Sequence, residues 1–131
     1  MAATDRALDL AYTAAHAASD RKAQEIIALD VSDRLVLTDV FLIASGTNER
    51  QVGAIVDAVE EAMHRAGAKA VRREGVREGR WALLDYGDVV VHVQHADDRL
   101  YYNLERLWAD CPAIELPEGA RGGDGRTDGE A

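Results

Sequence analysis

The chain predicts a single-domain α/β sandwich, with helices packed on a mixed sheet of about five strands. Three observations carry that fold class. Segments of helical and strand periodicity follow one another as helix, strand, strand, helix, strand, hairpin, helix. The segment from Leu35 to Ala44 is apolar on both parities, the mark of a central strand covered on two sides. The stretch from Gly79 to Val93 reads as a tight β-hairpin. At 131 residues the chain is long enough to close one core without disulfides.

Taken in order, Thr4 is placed to cap a first helix whose one face holds Ala7, Leu8, Ala11, Tyr12, Ala15 and Ala18. So many alanines imply close packing, against the sheet or against another subunit. Ala23 to Val31 reads either as a helix end or as a strand, and Ser32-Asp33 breaks it. The central strand follows. Ser45-Gly46-Thr47-Asn48 ends it and opens a second helix, with Asn48 and Gln51 forming a variant of the capping box. Val52, Ile55, Val56, Val59 and Met63 make that helix's buried stripe, and Gly67 stops it. Ala70-Val71-Arg72 is a short strand, and Arg73 to Arg80 a charged loop containing glycine. After the hairpin, Asp97 or Asp98 caps a last helix with Leu100, Tyr101, Leu104, Leu107 and Trp108 facing inward, ended by Cys111-Pro112. The domain is expected to span residues 1–117. Residues 118–131 form a Gly-rich acidic tail, expected to be disordered: five of the thirteen residues from Gly119 onward are glycine.

The hairpin holds the richest chemistry. With Gly87-Asp88 as its two-residue loop, Tyr86 pairs with Val89, Leu84 with Val91, and Ala82 with Val93. Those six share one apolar face. Trp81, Leu83, Asp85, Val90, His92 and Gln94 share the other, because strand side chains alternate. That second face is too polar for a core and too apolar for a solvated surface. It is either a protein-docking surface, or Trp81 and Leu83 lie under a covering helix while Asp85 serves the turn.

Charge narrows the partner. Asp and Glu number 24 against 15 Lys and Arg, a net charge of −9. Nucleic-acid affinity rests on Lys and Arg neutralising phosphates, so direct sequence-specific nucleic-acid binding is not expected. A basic protein would be steered toward such a surface, although acidity also serves solubility alone. The lone Cys111 permits no intrachain disulfide, and no apolar run fits a signal peptide or membrane span. A cytoplasmic location without membrane contact is expected.

Catalytic readings find little support. Ser45-Gly46 lies before a helix but lacks the glycine spacing and lysine of a phosphate loop. Asp39 stands alone, with no Asp-x-Asp pair for two-metal chemistry. His16, His64, His92 and His95 show no zinc-ligand spacing. Cys111 reads as a small apolar residue. No cofactor and no metal are expected.

Several motifs resemble the Iojap-like ribosomal silencing factors. They are Lys22-Ala23-x-x-Ile26-x-x-Leu29-Asp30, Thr38-Asp39-Val40-Phe41-x-Ile43-Ala44-Ser45-Gly46 and Gln51-Val52-x-Ala54-Ile55. Glu74-Gly75, the hairpin from Trp81 to His92, and Arg99-x-Tyr101-Tyr102-x-Leu104-Glu105-x-Leu107-Trp108 complete the set. The match runs in order over roughly residues 5–117. Val40 stands where the family usually has Tyr, Gln94 where an aromatic is common, and Asn103 where Asp is common.

The resemblance implies a non-enzymatic factor with a nucleotidyltransferase-like fold that lacks the catalytic acids. It implies binding to the large ribosomal subunit through its protein conventionally numbered fourteen. Such binding blocks joining of the small subunit and lowers translation when nutrients are scarce. It also implies homodimers. Joined to the reading of the hairpin, it makes Trp81 and Leu83 the desolvated anchor, with Asp85 and Asp88 pairing with basic side chains of the partner. His92 would hydrogen-bond within the patch, and Arg99 and Tyr102 would complete its rim. Asp88 and Arg99 read equally as a turn residue and a helix-surface charge. The alternative is a nucleotidyltransferase-like enzyme or nucleotide-binding protein using Ser45-Gly46 and Asp39. A further option leaves the first helix and the Trp81 face to dimerisation alone.

Overall fold

The computed structural model describes residues 2–120. Thr4 caps α1 (Asp5–Asp20), its hydroxyl accepting the Ala7 N–H at 3.1 Å. The alanines of α1 pack within this chain: Ala7, Ala11, Ala14, Ala15, Ala17 and Ala18 are buried with Leu10 against the sheet and the second helix. Leu8 and Tyr12 lie at the edge of that stripe, partly exposed.

The ambiguous segment after α1 is a strand, β1 (Gln24–Asp30). β2 (Val40–Gly46) is buried along its whole length, as a central strand should be. It is shorter than the apolar run that announced it. Asp30 pairs with Val40, and the Val31 N–H bonds the Asp39 carbonyl at 2.9 Å, so the chain between them is forced outward as a loop. Val36 and Leu37, read from sequence as strand, are consequently exposed.

Asn48 caps α2 (Glu49–Arg65) by accepting the Gln51 N–H at 2.8 Å. The Gln51 side chain turns back to the Thr47 N–H at 2.7 Å, the variant box that the sequence signals. All five expected stripe residues, Val52, Ile55, Val56, Val59 and Met63, are fully buried. β3 (Arg72–Glu74) then leads by the charged loop to the hairpin of β4 (Trp81–Asp85) and β5 (Val89–His95).

The last helix differs from expectation. It is two short pieces, α3 (Ala96–Tyr102) and α4 (Leu104–Leu107), separated by Asn103 at φ +52°. His95, not Asp97 or Asp98, caps α3, its Nδ1 accepting the Asp97 N–H at 3.1 Å. The left-handed residue turns the second piece away from the axis of the first, so the expected inward stripe breaks up. Only Leu104 is buried and Trp108 half-buried, whereas Leu100, Tyr101 and Leu107 are 83%, 81% and 68% exposed.

Beyond Cys111-Pro112 a two-residue strand, β6 (Ala113–Ile114), adds to β1. The sheet therefore has six strands in the order β3-β4-β5-β2-β1-β6. Only β2 and β5 run parallel, so the sheet is mixed. One face packs on α1 and α2 through Val40, Leu42, Ala44, Ala82, Leu84, Val89, Val91 and Val93. The other gathers Leu29, Val31, Phe41, Ile43 and Val90 with Leu104 and Cys111. Cys111 is a buried free thiol, in keeping with a small apolar residue. Of the expected tail, Ala120 is buried in the helix-side core, and residues 121–131 lie outside the described residues.

Candidate functional site: the second face of the hairpin

The hairpin has the register its turn dictates. The Tyr86 N–H bonds the Val89 carbonyl at 2.9 Å, and Ala82 faces Val93, Leu83 faces His92, and Leu84 faces Val91. Gly87 takes φ +85°, which a residue with Cβ adopts only with strain. A second glycine sets the start of β4. A Cβ on Gly75 would lie 2.1 Å from the Trp81 carbonyl oxygen, so only glycine lets the preceding loop close on Trp81.

Ala82, Leu84, Val91 and Val93 are fully buried toward the helices, which leaves Trp81, Leu83, Val90, His92 and Gln94 on the second face. Trp81 is half-buried. Its Nε1–H donates to His92 Nδ1 at 3.2 Å, and its ring lies 5.2 Å from that of Tyr102. Tyr102 is itself 52% exposed. A covering helix does exist, but α3 overlays only part of Trp81 and leaves Leu83 partly open as well. The face is thus neither fully covered nor fully open.

His92 is not at the surface of the patch. It is 5% exposed, with its ring edge-on to Phe41 at 5.0 Å. Burial pushes its pKa down to about 4, so the imidazole is neutral at neutral pH. Because Nδ1 accepts from Trp81, the proton sits on Nε2, and that atom makes no hydrogen bond. Gln94, between Trp81 and Ser45 on the neighbouring strands, is 0% exposed, and neither amide atom is bonded.

Arg99 is likewise interior, at 5% exposure, and is neither a rim residue nor a helix-surface charge. Its Nε donates to Glu105 Oε2 at 3.0 Å, and its Nη1 to Ser45 Oγ at 3.1 Å. It therefore ties α3 to α4 and to the end of β2. Asp85 serves the turn, Oδ1 accepting the Gly87 N–H at 2.8 Å, with Arg72 3.9 Å from Oδ2. Asp88 is exposed at the hairpin tip, and its backbone carbonyl receives the N–H groups of Asp39 and Val40.

Sequence reasoning misses the apolar surface beside this patch. Tyr101 stacks edge-on against Tyr102 at 4.9 Å, and Leu100 precedes it on the outside of α3. Arg80, bonded to Asp98 at 2.5 Å, fastens α3 to the start of the hairpin. Exposed Leu100 and Tyr101 are legible only as residues of an amphipathic helix, and nothing local announces the break at Asn103.

The nucleotide reading loses its geometry. Asp39 accepts the Thr4 N–H at 3.0 Å, while Ser45 Oγ donates to the Gln24 carbonyl at 3.1 Å. The two residues stand at opposite ends of β2, roughly 20 Å apart at the rise of an extended strand. Among the described residues no group of three or more His, Cys, Asp or Glu is placed to hold a metal ion. No described helix is long and apolar enough to cross a membrane.

The profile of the family described as "Ribosomal silencing factor during starvation" matches residues 4–130. The ribosomal silencing factor of Halalkalibacterium halodurans is 44% identical over 108 residues, covering 82% of this chain and 92% of that protein. That of Bacillus subtilis is 44% identical over 106 residues, covering 81% and 90%. A crystal structure of a Chromobacterium violaceum protein superposes with a TM-score of 0.76 at 36% identity, covering 84% of this chain and 92% of that one. The motifs from Lys22 to Trp108, the six-stranded mixed sheet and these likenesses agree: the chain belongs to the ribosomal silencing factor family.

Proposed function

We propose that the chain docks on the large ribosomal subunit through its protein conventionally numbered fourteen. There it sterically blocks joining of the small subunit and so lowers translation when nutrients are scarce. The supporting observation is the aromatic patch in which half-buried Trp81 meets exposed Tyr102 at 5.2 Å, continued outward by Tyr101 and Leu100. Such partly desolvated aromatics are the residue types that concentrate interface energy. Trp81 and Leu83 form the anchor and Tyr102 the rim. Asp88, at the exposed hairpin tip, is available to a basic side chain, and Asp85 holds the turn that presents it. A net charge of −9 favours a basic ribosomal protein over bare RNA as the contact. The factor acts in the cytoplasm, without cofactor and without catalysis. Two copies pair as a homodimer, as the family resemblance implies.

Co-sedimentation with purified large subunits tests the reading. Trp81→Ala and Asp88→Lys are expected to abolish or strongly weaken it while the circular dichroism stays native. Unchanged co-sedimentation of both variants would refute the docking face. Saturable binding of a nucleoside triphosphate with Mg²⁺ would favour a nucleotide-binding protein instead.

A further inference from the structure

The docking reading leaves His92 without a role, because it is too buried to touch a partner. The geometry points to His92 as a positioning residue: it holds the Trp81 indole with its N–H turned inward, so that a partner meets the ring and not the donor. This inference rests on the docking reading above.

The register supplies the first part of the argument. Trp81 is directly opposite Gln94, and His92 is its diagonal neighbour across the hairpin, within reach for aromatic side chains. The indole N–H is a donor only, and on a half-exposed residue it would otherwise turn to solvent or to the partner. Here the neutral imidazole takes it at 3.2 Å. The amide of Gln94, Trp81's nearer cross-strand neighbour, makes no bond at all, so His92 alone supplies the acceptor.

The second part is the cost of the imidazole. A residue kept at this position for packing would be apolar, because a buried nitrogen without a partner is unfavourable. His92 is buried with Nε2 unbonded, and its one side-chain hydrogen bond is the one to Trp81. Phe41, edge-on at 5.0 Å, keeps the ring from rotating away. The third part is presentation. With the N–H satisfied internally and Tyr102 against one side, the remaining indole surface is an apolar plane in a fixed orientation. Such preorganisation raises affinity by removing the ordering cost of a large side chain at binding.

The test uses two variants of the full chain and two readouts. Asparagine places an amide oxygen near the position of Nδ1 and keeps the acceptor, whereas phenylalanine keeps the ring and removes it. The Trp81 indole ¹H–¹⁵N resonance, assigned by its loss in Trp81→Phe, is expected to exchange slowly with solvent in the wild type and in His92→Asn. In His92→Phe it exchanges fast, at an unchanged fold. Large-subunit affinity falls roughly three- to tenfold in His92→Phe, the loss expected from freeing one ordered side chain. It is restored in His92→Asn. A protected indole N–H in His92→Phe would overturn the inference. So would wild-type ribosome affinity of His92→Phe when Trp81→Ala has lost binding. Wild-type affinity of Trp81→Ala itself would overturn the docking reading and this inference with it.

Discussion

The two faces of the sheet are built to different standards. On one, α1 and α2 lay down sixteen and seventeen residues of helix, and Val, Ile, Leu, Met and a run of alanines close, among the described residues, without an unbonded buried side-chain atom. On the other, α3 and α4 offer seven and four residues. The four unbonded buried side-chain atoms among the described residues belong to His92, Gln94 and Glu105, all on that side. Apolar side chains there point outward, while a buried arginine points inward. Local rules are broken where a protein has something other than its own stability to serve. The helix-covered face carries the fold, and the second face is where those local rules are broken.

The sharpest way to break this comparison is to weaken the first face. Leu42 is fully buried beneath α1 and α2. Leu42→Ala is expected to cost about 2–5 kcal/mol, the usual penalty of a large-to-small change in a close-packed core. Urea unfolding measures it. A loss under about 1 kcal/mol would mean that the helix side does not carry the fold.

The next effect belongs to the second face and depends on pH. His92 has a pKa near 4 in the folded chain against an ordinary 6.5. Between those values the unfolded chain binds a proton that the folded chain does not, so stability rises with pH across that window. The contribution is complete above about pH 6.5 and is lost as pH falls toward 4. It amounts to roughly 3 kcal/mol. His92→Phe should lack this part of the pH dependence. The difference between the two chains isolates it from carboxylates such as Asp30, which also weaken the fold on acidification. Asp30 is held below its usual range because hydrogen bonds from Ser32 and Ala3 outweigh the upward push of burial. Parallel stability–pH curves for wild type and His92→Phe would contradict the assignment.

Legibility in the sequence divides along the same line. The stripe of α2, the Thr4 and Asn48 caps and the hairpin register are all local, written in residues three or four apart or across a two-residue turn. The second face depends on contacts without local marks. Arg99 finds Ser45, 54 residues away. Asn103 at φ +52° splits a helix whose spacing from Leu100 to Trp108 is otherwise regular, which turns an expected core stripe outward. The apolar run from Leu35 to Leu37 has strand character but no strand partner, because the bond from Val31 to Asp39 closes the loop beneath it. β6, two residues long, is too short to show any period. His92 and Arg99 are recognisable as functional residue types, but their burial is not legible.

A smaller effect of opposite sign tests the idea that the second face is not optimised for stability. Gln94 buries an amide with neither atom bonded. Methionine has nearly the same shape and no need of hydrogen bonds. Gln94→Met is therefore expected to stabilise the fold by about 1–2 kcal/mol, the desolvation penalty of an unpaired polar group. Thermal unfolding at neutral pH reads it as a raised Tm. A lowered Tm would mean that the amide is satisfied in solution and that this face is better built than its bonds show.

The smallest effect is the most informative about why the surface looks as it does. Leu100 and Tyr101 are 83% and 81% exposed on the outside of α3. Side chains that bury so little apolar area in the folded chain stabilise it little, so Leu100→Ser with Tyr101→Ser should change stability by no more than about 0.5 kcal/mol. Affinity for large subunits should nevertheless fall, because these residues extend the Trp81–Tyr102 patch outward. A double variant that unfolds readily would place the two side chains in the service of the fold, and the contrast between the faces would shrink. A variant that folds normally and binds poorly separates what the chain needs to fold from what it presents to its partner.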